Sequence, residues 1–259
     1  MKHIVKKDFD GTIIPVPPLP IQQRIVAELD CISGILEKKR QQLKELDNLA
    51  QAIFYDMFGD PVENEMGWEK VQLIDVVHRE CPISYGIVQL GDECLEGVPV
   101  VRPVDLKGFV PVKRDGLKRT SLEISNAYKR TILRGGELLI CVRGTTGIMG
   151  VADEELSECN VSRGIVPLFF SNKTNRIFMY SLLISKQIQN IIADKTYGAT
   201  LKQINIAELR KIPIILPPLS LQQQFAKKIE AIERQKALIN QSIKEVQTLF
   251  DCRMEEYFN

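Results

Sequence analysis

Counted from Ile25 in alternating steps of four and three, the chain meets Ile25, Leu29, Ile32, Leu36, Lys39, Leu43, Leu46, Ala50, Ile53 and Met57, and nine of these ten are apolar. The same walk from Phe225 meets Phe225, Ile229, Ile232, Lys236, Ile239, Ile243, Val246, Phe250, Arg253 and Tyr257. A mean step of about 3.5 residues, held over more than four heptads, predicts a left-handed coiled-coil seam rather than a helix lying on a globular core. Each segment is about 39 residues long, which gives roughly 58 Å of helix at 1.5 Å per residue.

The punctuation agrees. Pro17-Pro18 enforces an extended approach, and Pro20 suits a first helical position. Ser220 with Gln223 has the spacing of a capping box at the second helix. Gly59-Asp60-Pro61 ends the first helix with a residue that tolerates left-handed geometry and then a breaker.

The two segments are copies. "PPLPIQQ" at 17–23 returns as "PPLSLQQ" at 217–223, and residues 1–59 laid on 201–259 without gaps match at fourteen of 59 positions. Chance resemblance of two amphipathic helices does not keep the Pro-Pro-Leu, the Gln-Gln pair and the helical phase in one register. Paired within the chain, the two helices run antiparallel with the middle region at one end. Pairing of each helix with another molecule is the alternative.

Between the copies, short β-like runs alternate with turns. Residues 97–106, 137–144, 147–152 and 164–170 read as strands, rich in Val and Ile and bounded by Gly or Pro. Residues 69–77 read as a short strand and a helix start. Residues 176–195 have helical period through Ile177, Tyr180, Leu183, Ile184, Ile188 and Ile191, and 201–218 read as a short helix and then a strand. The fold class is thus α+β, a mixed domain with two long helices forming an antiparallel coiled coil.

Composition narrows the function. The net charge is +1, 44% of residues are apolar, and no apolar run is long enough to span a membrane. The six cysteines form no C-x-x-C, and with two histidines they make no zinc set, so free thiols in a cytoplasmic protein are expected. No P-loop, G-x-G-x-x-G or H-E-x-x-H motif is present, and no catalytic set stands out. "RGTTG" at 143–147 reads as a phosphate-cradling loop or as a hairpin turn, the commoner use of such a sequence. Charge is uneven. Residues 102–143 hold ten Lys or Arg against four acids, and residues 144–160 hold four acids and no base.

In this order, "IPVPPLPIQQRIVAEL", "GWEKVQLIDVV", "SYGIVQ", "GVPVVRPVDL", "GELLICVRGTTG", "VSRGIVPL" and "IPIILPPLSLQQQFAKKI" resemble the specificity subunit of type I restriction–modification enzymes over essentially the whole length. The resemblance implies a non-catalytic, DNA-reading protein. It also implies target-recognition domains, each followed by a long helix, with the two helices forming an antiparallel coiled coil. It assigns residues 1–16 to the tail of a preceding recognition domain, 17–59 and 217–259 to spacer helices, and 60–216 to one recognition domain. Two such domains are usual, so a half-length form is implied. It would pair as a homodimer or with another half subunit, the homodimer reading a palindromic bipartite site. Partners implied are double-stranded DNA, methyltransferase subunits and a restriction subunit. S-adenosylmethionine and ATP with Mg would belong to those subunits, with no cofactor or metal on this chain. A coiled-coil interaction module without DNA binding, or a silent recombination cassette, is the alternative.

Phosphate contacts supply affinity and base edges supply specificity. The candidate DNA-binding residues are Arg102, Lys107, Lys113, Arg114, Lys118, Arg119, Arg143, Thr145, Thr146, Arg163, Tyr197, Lys202 and Gln203. Lys113, Arg114, Lys118 and Arg119 flank the turn "KRDGLKR" and are read as phosphate contacts. Gln203 is of a type that pairs with adenine, and the arginines with guanine. On the helices, Gln22, Gln23, Arg40, Lys44, Gln222, Gln223, Lys244 and Glu245 are expected on outer faces open to methyltransferase subunits, the Gln-Gln pairs alternatively capping backbone groups.

Overall fold

A computed structural model describes residues 16–199 and 201–258. The expected tail at 1–16 therefore lies, but for Val16, outside the described residues. The chain divides into two compact units: Asn48–Ile232, and the described parts of Met1–Asp47 with Glu233–Asn259.

Helix α1 runs Leu19–Phe58 and the last helix, α7, runs Leu219–Phe258, each 40 residues. All twenty positions of the two 4-3 walks are buried or half-buried, which is the burial a continuous seam requires. In the unit formed by their outer lengths the helices are antiparallel. Glu28, near the start of α1, meets Arg253 and Tyr257, and Asp47, further along α1, meets Lys236. Lys236 and Arg253, the polar interruptions of the second walk, are thus the residues that form ion pairs across the helix pair.

Both helices begin at the leucine of Pro-Pro-Leu, one residue before Pro20 in the first copy. The expected Ser220–Gln223 capping box is not formed, because the start at Leu219 places Ser220 inside the first turn. Instead Gln222 Nε2 donates to Pro217 O (2.8 Å), and Gln22 Nε2 donates to Pro17 O (2.7 Å) in the first copy. The repeated glutamine closes the repeated turn. Gln222 also accepts the Asn175 N–H (2.8 Å) and is fully buried, so it does not belong to an outer face.

In the larger unit, β1 (Glu69–Gln72) leads into α2 (Leu73–Val76), and β1 pairs antiparallel with β10 (Pro213–Leu216). This pairing ties the start of the domain to its end. Phe54 and Phe58 of α1 therefore meet Phe225 of α7, with Phe178 completing the cluster at centroid distances of 4.8–6.0 Å. Gly59, at φ 71°, turns the chain out of α1. Asp60 Oδ1 then accepts Val62 N–H (2.7 Å) and Oδ2 accepts Gln187 Nε2 (2.6 Å), while Tyr55 O–H donates to Gln187 Oε1 (2.7 Å).

Two three-stranded sheets hold the domain core. In one, β2 (Val98–Val101) lies between β3 (Lys118–Thr120) and β6 (Asn160–Val161). In the other, β4 (Leu138–Cys141) lies between β5 (Met149–Val151) and β7 (Ile165–Leu168). Val101, Leu139, Cys141, Val161 and Ile165 share one buried cluster between them. Helix α3 (Leu122–Ala127) is stitched to β6 by Asn160, whose Nδ2 donates to Ser125 Oγ (3.0 Å).

Two segments differ from the sequence expectation. The helix predicted over 176–195 is broken at Ser185 into α4 (Arg176–Ile184) and α5 (Lys186–Asp194). Gln189 Nε2 donates to Leu183 O (2.7 Å), closing the end of α4. Lys118 and Arg119 follow the turn at Asp115-Gly116, as expected, and lie in β3, a strand not read from the sequence, whose partner is β2. After α5 come the hairpin β8 (Thr196–Tyr197) and β9 (Gln203–Ile204), and α6 (Ile206–Arg210).

Candidate nucleic-acid interface

The loop 143–147 joins β4 to β5, and the β8–β9 hairpin is bonded to it. Arg143 bridges Gln203, Gly144 N–H donates to Lys202 O (2.8 Å), and Ile204 N–H donates to Val142 O (3.0 Å). Thr196 Oγ1 lies 3.2 Å from Thr146 Oγ1, and Gln189 Nε2 reaches Gly147 O (3.1 Å). Of the two readings of "RGTTG", the hairpin turn holds. Gly147 N–H is bonded to Cys141 O (2.8 Å) and Gly144 N–H to Lys202, so two amides of a phosphate cradle are already used.

A second loop adjoins from β6 and β7. Val142 N–H donates to Gly164 O (2.8 Å), and Arg163 N–H donates to Ile87 O (2.8 Å). A Cβ on Gly164 would stand 2.7 Å from Pro103, which places Arg102–Pro103 against the same loop. The structure thus gathers Arg102, Arg143, Thr145, Thr146, Arg163, Tyr197, Lys202 and Gln203 into adjoining loops. Among the described residues Arg143, Arg163 and Lys202 have no ion-pair partner. Arg102 does: its guanidinium meets Asp105 at 3.2 Å, which fixes its direction.

The remaining candidates sit elsewhere in the domain. Lys113 pairs with Glu155 (3.6 Å), and Arg114 donates to the Glu155 and Ser157 carbonyls (3.1 and 2.9 Å). The acidic stretch after residue 144 folds back on part of the basic stretch before it. Arg119 donates to Gly97 O (3.1 Å), while Lys107 is exposed next to its bridge with Val110.

Sequence reasoning missed Tyr85, though its motif "SYGIVQ" was visible. Its hydroxyl accepts the Ile206 N–H (3.3 Å) and lies 3.5 Å from Ile204 O, so it props the β8–β9 hairpin at its base. Gly86 beside it runs so close to β6 that a Cβ would stand 2.6 Å from Ser162 O. On the other side of the hairpin Lys195 pairs with Glu208 at 2.6 Å. The ammonium of Lys195, and then that of Lys211, hold the Glu208 carboxyl below its usual 4.5.

No helix among the described residues is long and apolar enough to cross a membrane, and none of their His, Cys, Asp and Glu gather in a group fit for a metal. The arrangement is one of exposed cations, hydroxyls, an amide and an aromatic ring on interlocked loops. Such groups are of the kinds that bind phosphates and base edges.

Comparison with known proteins identifies the fold and the family. Two solved specificity subunits share the fold: HsdS from Thermoanaerobacter tengcongensis (TM-score 0.57, 21% identity, 99% of this chain and 63% of that one) and the S subunit from M. genitalium (TM-score 0.58, 13% identity, 93% and 62%). A chain from a study of type I R-M complex assembly matches at TM-score 0.63 with 22% identity, over 99% of this chain and 63% of that one. The EcoBI specificity subunit of Escherichia coli is 21% identical over 90% of this chain and 54% of its own length. The MjaVIII specificity subunit of Methanocaldococcus jannaschii is 24% identical over 89% and 57%. The chain spans about half the length of these curated relatives. Residues 65–248, more than half of the chain, match the family described as the type I restriction modification DNA specificity domain, and the chain belongs to that family.

Proposed function

We propose that this chain reads one half of a bipartite DNA site for a type I restriction–modification complex and carries out neither methylation nor cleavage itself. The observation that carries this reading is the joining of the 143–147 loop to the β8–β9 hairpin, in a chain of this family. Arg143, Arg163 and Lys202 are the phosphate-facing cations of the proposed surface, and Gln203, Thr145 and Thr146 are placed to meet base edges. Arg102, braced by Asp105, is the arginine held most firmly for a base.

The helices dock methyltransferase subunits, and through the complex a restriction subunit. These partners bring S-adenosylmethionine and ATP with Mg, and the assembly works in the cytoplasm. A second recognition domain completes the site, supplied by another copy of this chain or by a different half subunit. Apolar Leu19, Val26 and Phe258, all exposed, are available to it.

The test is to co-express the chain with its methyltransferase subunit and map modified adenines across a genome by single-molecule sequencing. A palindromic bipartite motif supports half-site reading by a homodimer, and a non-palindromic one supports pairing with a different recognition chain. No modification, with both proteins soluble and assembled, favours the silent-cassette or interaction-module reading. In the assembled complex Lys202→Ala is expected to weaken DNA binding at all sequences and to lower the salt slope by about 1, while Lys113→Ala leaves the slope unchanged.

A further inference from the structure

Lys236 and Arg253 occupy seam positions of α7 where the repeat places Leu36 and Ile53 in α1. Neither cation is left bare. Lys236 Nζ lies 2.8 Å from Asp47 Oδ1 and 2.8 Å from Glu233 Oε1. Arg253 Nε lies 3.0 Å from Glu28 Oε1, and its Nη1 meets Glu256. Tyr257 O–H donates to Glu28 Oε2 at 2.7 Å. Half-burial by itself would lower the Lys236 pKa, but the Asp47 and Glu233 carboxylates outweigh it and hold it above the ordinary 10.5. Both acids contributed by α1 lie beside the seam rather than in it, so each cross-helix pair joins a seam cation to a flanking carboxylate.

We propose that these two ion pairs make α1 and α7 an obligate unlike pair, so that helices of two copies of this chain associate only as α1 with α7 and never like with like. The repeat supplies the argument. The offset of 200 relates each residue of one helix to its counterpart in the other, so the neighbours in a like pair of the same register can be read off directly. In an antiparallel pair of two α7 helices, Lys228 replaces Glu28 opposite Arg253, setting two cations together. Gln247 replaces Asp47 opposite Lys236 and leaves that ammonium without its partner from the other helix. In a pair of two α1 helices, Glu28 faces Ile53 and Asp47 faces Leu36, so each acid meets a hydrocarbon side chain. A lone charged residue in an otherwise apolar seam costs stability in every pairing that fails to neutralise it, and so selects the one that does. A dimer in which helices of two copies share a seam must therefore exchange α1 for α7 between copies. This inference does not depend on DNA reading, since a chain that failed to bind DNA would still sort its helices in this way.

The experiment uses the full chain with Cys81 and Cys94 replaced by serine and spin labels on the exposed Cys31 of α1 and Cys252 of α7. Double electron–electron resonance then reads the distance between labels. The wild-type seam is expected to give one α1–α7 distance whether the chain is single or exchanged with a second copy, because the neighbours are the same. Lys236→Leu with Arg253→Ile gives α7 the residues of α1. It is expected to add a second distance that grows with concentration, matched by a new species in light scattering. Glu28→Arg alone is expected to lose the single distance, and Glu28→Arg with Arg253→Glu to regain it. The inference is overturned if the Leu/Ile variant keeps one distance and the wild-type mass over about a hundredfold range of concentration, or if the charge swap recovers nothing.

Discussion

Replacing Phe58 by alanine removes a fully buried ring from the point where α1 meets the recognition domain. The ring packs edge-to-face on Phe178 at 4.8 Å and on Phe225 at 5.3 Å, and lies 5.3 Å from Phe54. Three aromatic neighbours cannot all close on the void, because each is itself buried and held by its own helix. The loss therefore falls in the upper part of the range for Phe→Ala in a core, about 4 kcal/mol. The repeat provides the control. Phe258 is the counterpart of Phe58 at the same place in the copied helix, and it is 63% exposed. Phe258→Ala makes the same chemical change at the corresponding place in the copied helix and is expected to cost less than about 0.5 kcal/mol. The assay is urea unfolding followed by fluorescence of Trp68, the single tryptophan, whose Nε1–H donates to Phe58 O at 2.9 Å. With a slope of about 2–3 kcal/mol per molar for a domain of this size, Phe58→Ala should lower the midpoint by about 1–2 M. Equal shifts for the two alanines would refute the reasoning, for they would mean that the residue's place in the repeat, rather than its burial, sets its worth.

Gly86→Ala places a methyl group against the carbonyls of Val161, in β6, and of Ser162 just after it, and should cost about 3 kcal/mol or more, read as a fall in thermal midpoint. Asp60→Asn should destabilise the protein by about 1 kcal/mol at pH 7, because the amide cannot accept from both backbone and Gln187 as the carboxylate does. Burial pushes the Asp60 pKa up, but the Val62 and Glu63 N–H groups, the Gln187 amide and the Lys70 charge outweigh it, and the net shift is downward from 3.8. A carboxyl lowered on folding stabilises the protein above its unfolded pKa and loses that stabilisation as pH falls through its folded one. The gap between wild type and Asp60→Asn, measured by denaturant melts, should therefore be full above about pH 5 and close below about pH 4.

The helices were legible because a seam is a purely local rule. Every position in the 4-3 walk faces its partner whatever the rest of the chain does, so Ile25 to Met57 could be read without knowing what they touch. The strands of the core were legible for a similar reason, since 138–141 and 165–168 are apolar on both faces. The basic stretch was not. Along the chain Lys113 and Arg114 have no acidic neighbour but Asp115, whereas in the fold Glu155, about 40 residues away, comes to both of them. Lys118 and Arg119 flank the turn at Asp115-Gly116 as read, but their strand was not visible, because charged side chains are uncommon in strands and β3 admits them as an outer strand of its sheet. The break at Ser185 had no sequence punctuation, no Gly or Pro. It is made by Gln189, a side chain that takes over a carbonyl the helix would otherwise have used.

The two copies of the repeat separate what local sequence does from what surroundings do. Gln22 and Gln222 each bond the proline carbonyl five residues back, so the turn that opens the helix is fixed by the Pro-Pro-Leu-x-x-Gln stretch itself. Yet only Gln222 also takes the Asn175 N–H, and only Phe58, not Phe258, is buried in an aromatic cluster. Seam divergence follows the same logic. Lys236 and Arg253 differ from Leu36 and Ile53 where a symmetric pair would have needed no difference, and each meets one acid of the other copy. Repetition accounts for the helices having one form. Divergence at a few seam positions accounts for their having one partner.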